Sequence, residues 1–443
     1  MAEVALLGGT PVIANEEHRS WPLVTDDERA RVMGVLDRGV LSGSFAPEAT
    51  ALEAEFARFC GARFALLTHC GTSALQLALV AAGVGPGDEV IVPAYSFVAT
   101  PLSVALLGAV PVFADVELET GCLDPAAAAA AITGRTRAIM PVHMHGGAAD
   151  LESLLAIAEG RSLALVEDAA QAHGALHRGR PVGAIGVAGG FSLQSSKNLS
   201  AGEGGIFVTN DRGLAELANR VRNFGQDLPL AYAEGFSPRR PLDGDRPLEA
   251  ARMGSMYRGN EMMAAFARAQ LARLPEVTAR CVANAERLSL ALSKLPGVFP
   301  PPIDRERTSV YHKYRVRLDP VLAGVPLSPR ALRDLMIRAL RAEGAEVVLW
   351  QTEPLPAQRF FQDNREAWSR AAGTDTVLNY DGRRYPSTLE LLGGSLVLFS
   401  QSCPLIAQTS EMVDRYAEAF ARVWEQRHLL AARESSERIR NAP

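Results

Sequence analysis

Between about residues 50 and 210, short apolar runs alternate with helix-like stretches, and this alternation constrains the fold more than any other feature. The apolar runs are Phe64–Thr68, Asp88–Pro93, Val110–Asp115, Ala138–His143 and Leu163–Val166. They are nearly continuous, which is typical of strands covered on both faces of a parallel sheet. Two more strands are predicted at Gly189–Leu193 and Gly205–Val208. We therefore predict an α/β fold, with a mixed, mostly parallel sheet flanked by helices.

The chain has 443 residues, of which 48% are hydrophobic, so it is long enough for more than one folding unit. Proline cannot continue a helix easily, and Pro275 follows a strong helix pattern over 261–274. We predict a large domain over residues 1–275, including an N-terminal segment, and a smaller C-terminal α+β domain over 276–443. Residues 361–394 keep no periodicity and form a variable insertion, either an active-site lid or a surface loop.

Composition excludes several classes of protein. The net charge is −5 and no basic block is present, which argues against nucleic acid as a partner. The five cysteines are scattered without a CxxC pair, so neither a disulfide framework nor a metal site is expected. The sequence contains no run of about 18 apolar residues, so no membrane span is predicted, and no signal peptide is evident. A cytoplasmic protein is the expectation.

An aspartate and a lysine carry the strongest chemical signal. Asp168 comes directly after a predicted buried strand, and ligands of parallel α/β sheets bind at the carboxyl ends of strands. A carboxylate there can pair with a protonated pyridine nitrogen, or simply cap the next helix. Lys197 lies in a loop between two apolar strands, close to Ser192 and to Gly202–Gly205. A buried lysine has a lowered pKa and can attack an aldehyde, whereas a loop lysine is ordinarily a solvated surface residue.

A second motif, His69–Leu75, lies where a strand meets a helix. Free N–H groups at a helix N-terminus bind phosphate, and Gly71 and Thr72 stand at that point. The alternative is that Thr72 or Ser73 only caps the helix.

A third motif places two aromatic residues, Tyr95 and Phe97, just after a strand. One of them can stack on a planar ring, and the alternative is ordinary packing in the core.

In this order and spacing, the motifs resemble the DegT/DnrJ/EryC1/StrS aminotransferases, a family of fold-type I enzymes that depend on pyridoxal phosphate. The resemblance covers nearly the whole chain, from Leu7-Gly-Gly-Thr-Pro-Val to Ser402-Cys-Pro-Leu. It includes Tyr257-Arg-Gly-Asn-Glu and Tyr311-His-Lys-Tyr on the way. Its most specific part combines Asp168, Gln171, Ser192 and Lys197 with Gly-Glu-Gly-Gly at 202–205.

The resemblance implies a role for each of these residues around pyridoxal 5'-phosphate, which becomes pyridoxamine 5'-phosphate in the half-reaction. Lys197 would form the Schiff base, Asp168 would pair with the pyridine nitrogen and Gln171 would contact the ring hydroxyl. The phosphate would be held by Gly71, Thr72 and Ser192, and Phe97 would stack on the ring. The family forms homodimers with shared active sites, in which Arg258 or Asn260 would reach the partner's phosphate. The expected substrate-side residues are Ser42, Gly43, His143, His312 and Lys313.

The implied activity is amino transfer from glutamate or glutamine to a ketone of a cyclitol or a nucleotide-linked keto sugar. The opening Gly-Gly-Thr-Pro-Val and Trp21-Pro22 resemble the secondary-metabolism group, which forms aminocyclitols and amino sugars of antibiotics. One branch of the family dehydrates sugars and carries histidine in place of the lysine, so Lys197 argues against it. An aminohydroxybenzoate-synthase-like enzyme and a non-catalytic regulatory homologue are the remaining alternatives.

Overall fold

The computed structural model describes residues 3–14, 17–44, 46–230, 249–371, 373 and 378–440. Its helices are α1 (Asp26–Arg38), α2 (Pro47–Phe59), α3 (Gly71–Ala81), α4 (Ala99–Ala105), α5 (Pro125–Ala130), α6 (Leu151–Gly160), α7 (Arg212–Arg222), α8 (Glu261–Leu292), α9 (Pro329–Ala342), α10 (Arg359–Asp363), α11 (Arg365–Ala371), α12 (Pro386–Gly394), α13 (Ser410–Glu425) and α14 (Arg427–Arg440). The strands are β1 (Phe64–Thr68), β2 (Glu89–Pro93), β3 (Val110–Ala114), β4 (Thr136–Ile139), β5 (Ala164–Asp168), β6 (Leu176–His177), β7 (Arg180–Pro181), β8 (Ala188–Ser192), β9 (Gly205–Thr209), β10 (Val298–Phe299), β11 (Tyr314–Leu318), β12 (Val347–Val348) and β13 (Ser395–Leu398). Among these described residues, no helix is both long enough and apolar enough to cross a membrane.

The large sheet has seven strands in the order β1-β9-β8-β5-β4-β2-β3. Only β9 runs against its neighbours, while β8, β5, β4, β2 and β3 pair in parallel. Strands β1, β2, β8 and β9 are buried along their whole length, as the continuous apolar runs predict. The predicted mixed, mostly parallel sheet flanked by helices is therefore confirmed.

A second sheet lies in the C-terminal part of the chain, with the antiparallel order β10-β11-β13-β12. Its core also buries the N-terminal residues Val4, Val12 and Ile13. The carboxylate of Glu343 accepts hydrogen bonds from the backbone N–H groups of Ala5, at 2.7 Å, and Val12, at 3.1 Å. The N-terminal segment thus packs with the C-terminal core, whereas the sequence analysis grouped it with the large domain.

Helix α8 continues through Pro275, so the predicted end of a helix at that proline is wrong. Proline removes the N–H that would bond to the carbonyl four residues earlier, but burial of the flanking turns compensates for one lost bond. Leu271 and Leu274 are buried before the proline, and Val277 and Cys281 are buried after it. The proposed division of the chain at residue 275 stays a prediction.

The polar segment 361–394 contains the helices α11 and α12, although its sequence predicts no periodic element; residues 372 and 374–377 lie outside the described residues. Phe361 and Tyr380 pack edge-on against Phe113 of β3, with ring centroids 5.2 and 5.1 Å apart. The carboxylate of Asp115 accepts hydrogen bonds from the backbone N–H groups that begin α12. The segment therefore covers the edge strand of the large sheet.

Candidate active site

A cavity of about 460 Å³ opens where the carboxyl ends of β1, β5 and β8 face loops of the C-terminal part. Its volume is in the range of small-molecule sites. One side, here called the sheet wall, is formed by Gly71, Thr72, Asp168, Gln171 and Ser192. The opposite side, the C-terminal wall, is formed by His312, Lys313, Trp350 and Gln401. Lys197 and Phe97 also line the cavity.

Asp168 is the last residue of β5 and is 4% exposed. Its Oδ2 accepts a hydrogen bond from the Thr100 hydroxyl at 2.7 Å, and its Oδ1 accepts one from the backbone N–H of Ala170 at 3.1 Å. Burial raises the pKa of the carboxyl group, although both hydrogen bonds and the charge of Lys197 oppose that shift. A cationic group placed in the cavity next to Asp168 would therefore stabilise the carboxylate and be stabilised by it.

Lys197 is held by its backbone in the loop between β8 and β9. Its N–H donates to the carbonyl of Gln194 at 2.8 Å, and its carbonyl accepts from the indole N–H of Trp21 at 2.9 Å. Burial lowers the pKa of Lys197 to about 8, with Asp168 opposing the shift. A useful fraction of the amine is consequently neutral near neutral pH, as a nucleophile requires. Lys197 is half-buried and lines the cavity, which does not fit a fully solvated surface lysine.

The N-terminus of α3 meets Ser192 at the sheet wall. The helix begins at Gly71 after Cys70, and no side chain within the described residues caps it. The alternative that Thr72 or Ser73 is the cap is wrong, since both lie inside the helix and the Ser73 hydroxyl donates to the carbonyl of Cys70. A Cβ on Gly71 would lie 2.8 Å from that of Ser192. This end of the cavity presents helix N–H groups and a hydroxyl, which suit a phosphate.

The two aromatic residues after β2 have different surroundings. Tyr95 is 4% exposed, and its hydroxyl lies 2.9 Å from Nε2 of His145, so the packing interpretation holds for it. Phe97 is 56% exposed and borders the cavity. Its face is available for stacking on a planar ring.

Gln171 and Lys313 are joined through the backbone of His145. The backbone N–H of His145 donates to Oε1 of Gln171 at 3.0 Å, and its carbonyl accepts from the backbone N–H of Lys313 at 3.3 Å. Burial lowers the pKa of His312 well below its ordinary value, with the lysines adding to the effect. His312 is therefore a neutral ring at physiological pH, next to two amines.

His143 does not face the cavity, so its predicted place among the substrate-side residues is wrong. Its ring is fully buried, with Nε2 3.0 Å from a carboxylate oxygen of Glu167. Its Nδ1 accepts the backbone N–H of Ala149 at 3.1 Å. Both ring nitrogens are thus used within the protein behind Asp168.

Arg258, Asn260, Ser42 and Gly43 lie apart from the cavity of their own chain. The side chain of Asn260 caps α8 by accepting the backbone N–H of Met263 at 2.9 Å. Arg258 donates to Oδ1 of Asn223 at 2.7 Å, and the Ser44 hydroxyl contacts the same oxygen at 3.3 Å. Asn223 therefore joins the two segments that sequence reasoning had treated separately.

Sequence reasoning missed several residues that line the cavity. Thr100, which holds Asp168, closes the segment that begins with Tyr95, and this proximity was the available signal. Gln194 and Glu203 belong to the loop that carries Lys197. Trp350 and Gln401 follow β12 and β13, and no local pattern indicates that these strand ends meet the large sheet.

Pyridoxal phosphate fits these residues. A phosphate suits the uncapped N-terminus of α3. Gly71 is needed at this point because any Cβ would collide with Ser192. A Cβ on Gly205 would lie 2.3 Å from the carbonyl oxygen of Cys70, so the strand beside it also requires glycine. Asp168 offers a buried carboxylate for a protonated ring nitrogen, and Lys197 offers an amine for an aldehyde.

Comparison with known proteins agrees with the cavity's chemistry. Residues 22–379 match the family model described as the DegT/DnrJ/EryC1/StrS aminotransferase family. An L-glutamine:scyllo-inosose aminotransferase of Streptomyces griseus is 37% identical, over 95% of this chain and 97% of that protein. The crystal structure of 3-amino-5-hydroxybenzoic acid synthase superposes with a TM-score of 0.78 at 32% identity, covering 92% of this chain and 98% of the other. DesI with its TDP-sugar product gives 0.76 at 28% identity, covering 98% and 99%.

Proposed function

The chain belongs to the DegT/DnrJ/EryC1/StrS aminotransferase family, and from this premise we propose that it moves an amino group from L-glutamine or L-glutamate to a ketone of a cyclitol or keto sugar. The observation that carries the proposal is that Lys197 and the buried carboxylate of Asp168 line the same cavity. The similarity to the scyllo-inosose aminotransferase favours a cyclitol ketone as the acceptor.

The sheet wall would hold the cofactor. Gly71, Thr72 and Ser192 would bind the phosphate, while Asp168 would pair with the ring nitrogen and Gln171 with the ring hydroxyl. Phe97 would cover one ring face. When bound, pyridoxal phosphate supplies an electron-withdrawing ring that stabilises negative charge on the donor α-carbon.

Lys197 would act both as the anchor and as the proton carrier. Its neutral amine would hold the cofactor through the aldehyde carbon, with loss of water, and the lowered pKa of Lys197 would favour this attachment. With a donor amine in that place, Nζ of Lys197 would accept the proton of the donor α-carbon and deliver it to the carbon that was the cofactor aldehyde. Water would then release the keto acid by hydrolysis of its C=N bond, and the same groups would serve the ketone in the reverse direction.

We further propose a homodimer with shared active sites. Arg258 and Asn260 lie outside the cavity of their own chain, which supports a role toward a neighbouring subunit. Sedimentation would report the dimer, and Arg258→Ala would weaken cofactor binding without changing the geometry of the protomer's own sheet wall. A monomer with full activity would contradict the proposal.

The function is tested with Lys197→Ala and with Lys294→Ala as a matched control at an exposed position. Wild type is expected to form an amine from L-glutamine and a keto-cyclitol, and to show the visible absorbance of covalently held pyridoxal phosphate. Lys197→Ala should lose both, and Lys294→Ala should keep both. An unchanged cofactor spectrum in Lys197→Ala would overturn the assignment, and formation of a deoxy product without amine would indicate a dehydratase instead.

A further inference from the structure

Lysine is rare in this chain, so the position of each lysine is informative. Of 45 lysines and arginines, only Lys197, Lys294 and Lys313 are lysines. Lys294 is exposed on the surface, whereas Lys197 and Lys313 both line the cavity. The chain thus uses arginine for almost every positive charge and reserves two of its three lysines for one site.

Lys313 is fixed on the C-terminal wall and is 6% exposed. Its backbone N–H donates to His145, and the carbonyl of Val310, three residues earlier, accepts from the side chain of Asn198 at 2.9 Å. Asn198 is the neighbour of Lys197, so one short path of contacts sets the position of Lys313 relative to the proposed cofactor lysine.

Among the described residues, the charged side chains that line this cavity give Lys313 no counter-ion. The charged side chains there are Asp168, Lys197, Glu203 and Lys313, and no arginine lines the cavity within the described residues. Asp168 is engaged by Thr100 on the sheet wall, and Glu203 is exposed. In the part of the chain that the structure describes, no carboxylate lies within ion-pair distance of Lys313. A buried cation of this kind is stabilised when a ligand supplies an anion.

We propose that Lys313 binds the α-carboxylate of the amino donor and so selects an α-amino acid over a neutral amine. The inference rests on the proposed amino transfer and deepens it. The two reactants of the proposed transfer differ in charge, because every amino-acid donor carries an α-carboxylate whereas a keto-cyclitol is neutral. The recognising group must therefore hold an anion in one half-reaction and tolerate hydroxyl groups in the other.

A lysine suits this double task better than an arginine. Its ammonium is a compact charge on a flexible stem, whereas a guanidinium is planar and permanently charged. Burial lowers the pKa of Lys313 to about 8, with Lys197 adding to the effect. The group is thus mostly charged at pH 7, yet it loses its proton more easily than a surface lysine.

The test compares Lys313→Met and Lys313→Arg with Lys294→Met in the holoenzyme. Methionine keeps most of the buried volume and removes the charge. We expect Lys313→Met to raise KM for L-glutamine roughly 10- to 100-fold, the usual effect of losing a hydrogen bond to a charged group. KM for the keto acceptor should stay within about threefold, since its hydroxyl groups need no cation. Lys313→Arg should restore much of the donor affinity.

A second measurement keeps the result interpretable. Calorimetry with 2-oxoglutarate on the resting holoenzyme should show the same loss of affinity in Lys313→Met, independently of turnover. Unchanged cofactor absorbance and Tm would exclude misfolding. A Lys313→Met enzyme with wild-type donor KM and 2-oxoglutarate affinity, or with equal losses for donor and acceptor, would overturn the proposal. Absence of transfer by wild type would instead refute the proposed function itself.

Discussion

The two walls of the cavity are built in different ways. The sheet wall consists of strand ends and a helix N-terminus, and it contributes one glycine, polar side chains and one buried carboxylate. The C-terminal wall consists of long side chains on loops that follow β12 and β13 or precede β11. The register of the sheet therefore sets the first wall, whereas the second depends on individual side chains. Changes to the sheet wall should affect cofactor binding, and changes to the C-terminal wall should affect substrates.

The largest effect is expected for Asp168→Asn on the sheet wall. The amide keeps the shape but removes the charge that would face the ring nitrogen, so kcat should fall on the order of 100- to 1000-fold. Steady-state kinetics with saturating cofactor would measure this. Asp150→Asn, which changes a helix cap on α6, is the control and should keep kcat. A kcat within tenfold of the wild-type value would contradict the proposed role of Asp168.

A smaller effect is expected for Gly71→Ala, also on the sheet wall. The new Cβ would lie 2.8 Å from that of Ser192, so the proposed phosphate-binding turn must shift. The Kd for pyridoxal phosphate should rise roughly 5- to 100-fold, in line with the cost of overpacking. Gly85→Ala places its Cβ in open space and should leave the Kd unchanged. Equal affinities in the two variants would show that the turn does not bind the phosphate.

The pH dependence of cofactor capture tests the lysine between the two walls. The pKa of Lys197 is lowered to about 8 by burial, against Asp168, and Lys313 and His312 also face this amine. Only the neutral amine attacks, so the rate should rise about tenfold between pH 7 and pH 9, with a midpoint near 8. Stopped-flow absorbance with the cofactor-free protein would record it. Asp168→Asn should move the midpoint to lower pH, and a midpoint near 10 in wild type would contradict the burial.

A moderate effect is expected for His312→Ala on the C-terminal wall. Nδ1 of His312 is buried without a hydrogen-bond partner in the described part of the chain. Loss of a neutral hydrogen bond to a substrate should raise its KM about five- to tenfold, while the Kd of the cofactor stays the same. His428→Ala, at an exposed position, is the control. Weaker cofactor binding with an unchanged substrate KM would contradict the assignment of His312 to the substrate side.

The smallest effect concerns Tyr380→Phe in the segment 361–394. The Tyr380 hydroxyl donates to the carbonyl of Pro111 on β3, and its removal should lower the free energy of unfolding by about 1 kcal/mol. Both KM values and kcat should stay at wild-type levels, because no described residue of the segment lines the cavity. Tyr385 is buried nearby, and Tyr385→Phe should lower the free energy of unfolding by less than Tyr380→Phe does in a denaturant titration. A change in KM would instead favour a lid.

Most of the sheet wall could be predicted because strand ends and helix starts follow local rules. Continuous apolar runs located β1, β2, β5 and β8, and the residues after them came together as parallel strands require. The start of α5 follows a local rule of the same kind, since the side chain of Asp124 accepts the N–H of Ala126 and Pro125 is the first residue of the helix. The roles of the individual site residues stay predictions.

The C-terminal wall and the domain boundary could not be predicted in the same way. Trp350 and Gln401 reach the cavity only through the pairing of β12 with β13, which is a long-range contact. Pro275 looked like a helix end because local propensity says nothing about burial on both sides. His143 looked like a substrate residue, since its buried partner Glu167 is close only in the folded protein.

The uninterrupted course of α8 has a consequence for engineering. Its second half contributes Cys281, Ala285 and Leu288 to the C-terminal core, and Val4 and Ile13 come to the same core from the opposite end of the chain. A C-terminal domain transplanted from residue 276 onward would therefore lack the N-terminal segment that packs into its core, and its first helix would be cut. Exchange of substrate preference between relatives should succeed through replacement of single side chains on a retained scaffold, whereas chimeras joined near residue 275 would cut a continuous helix in the middle.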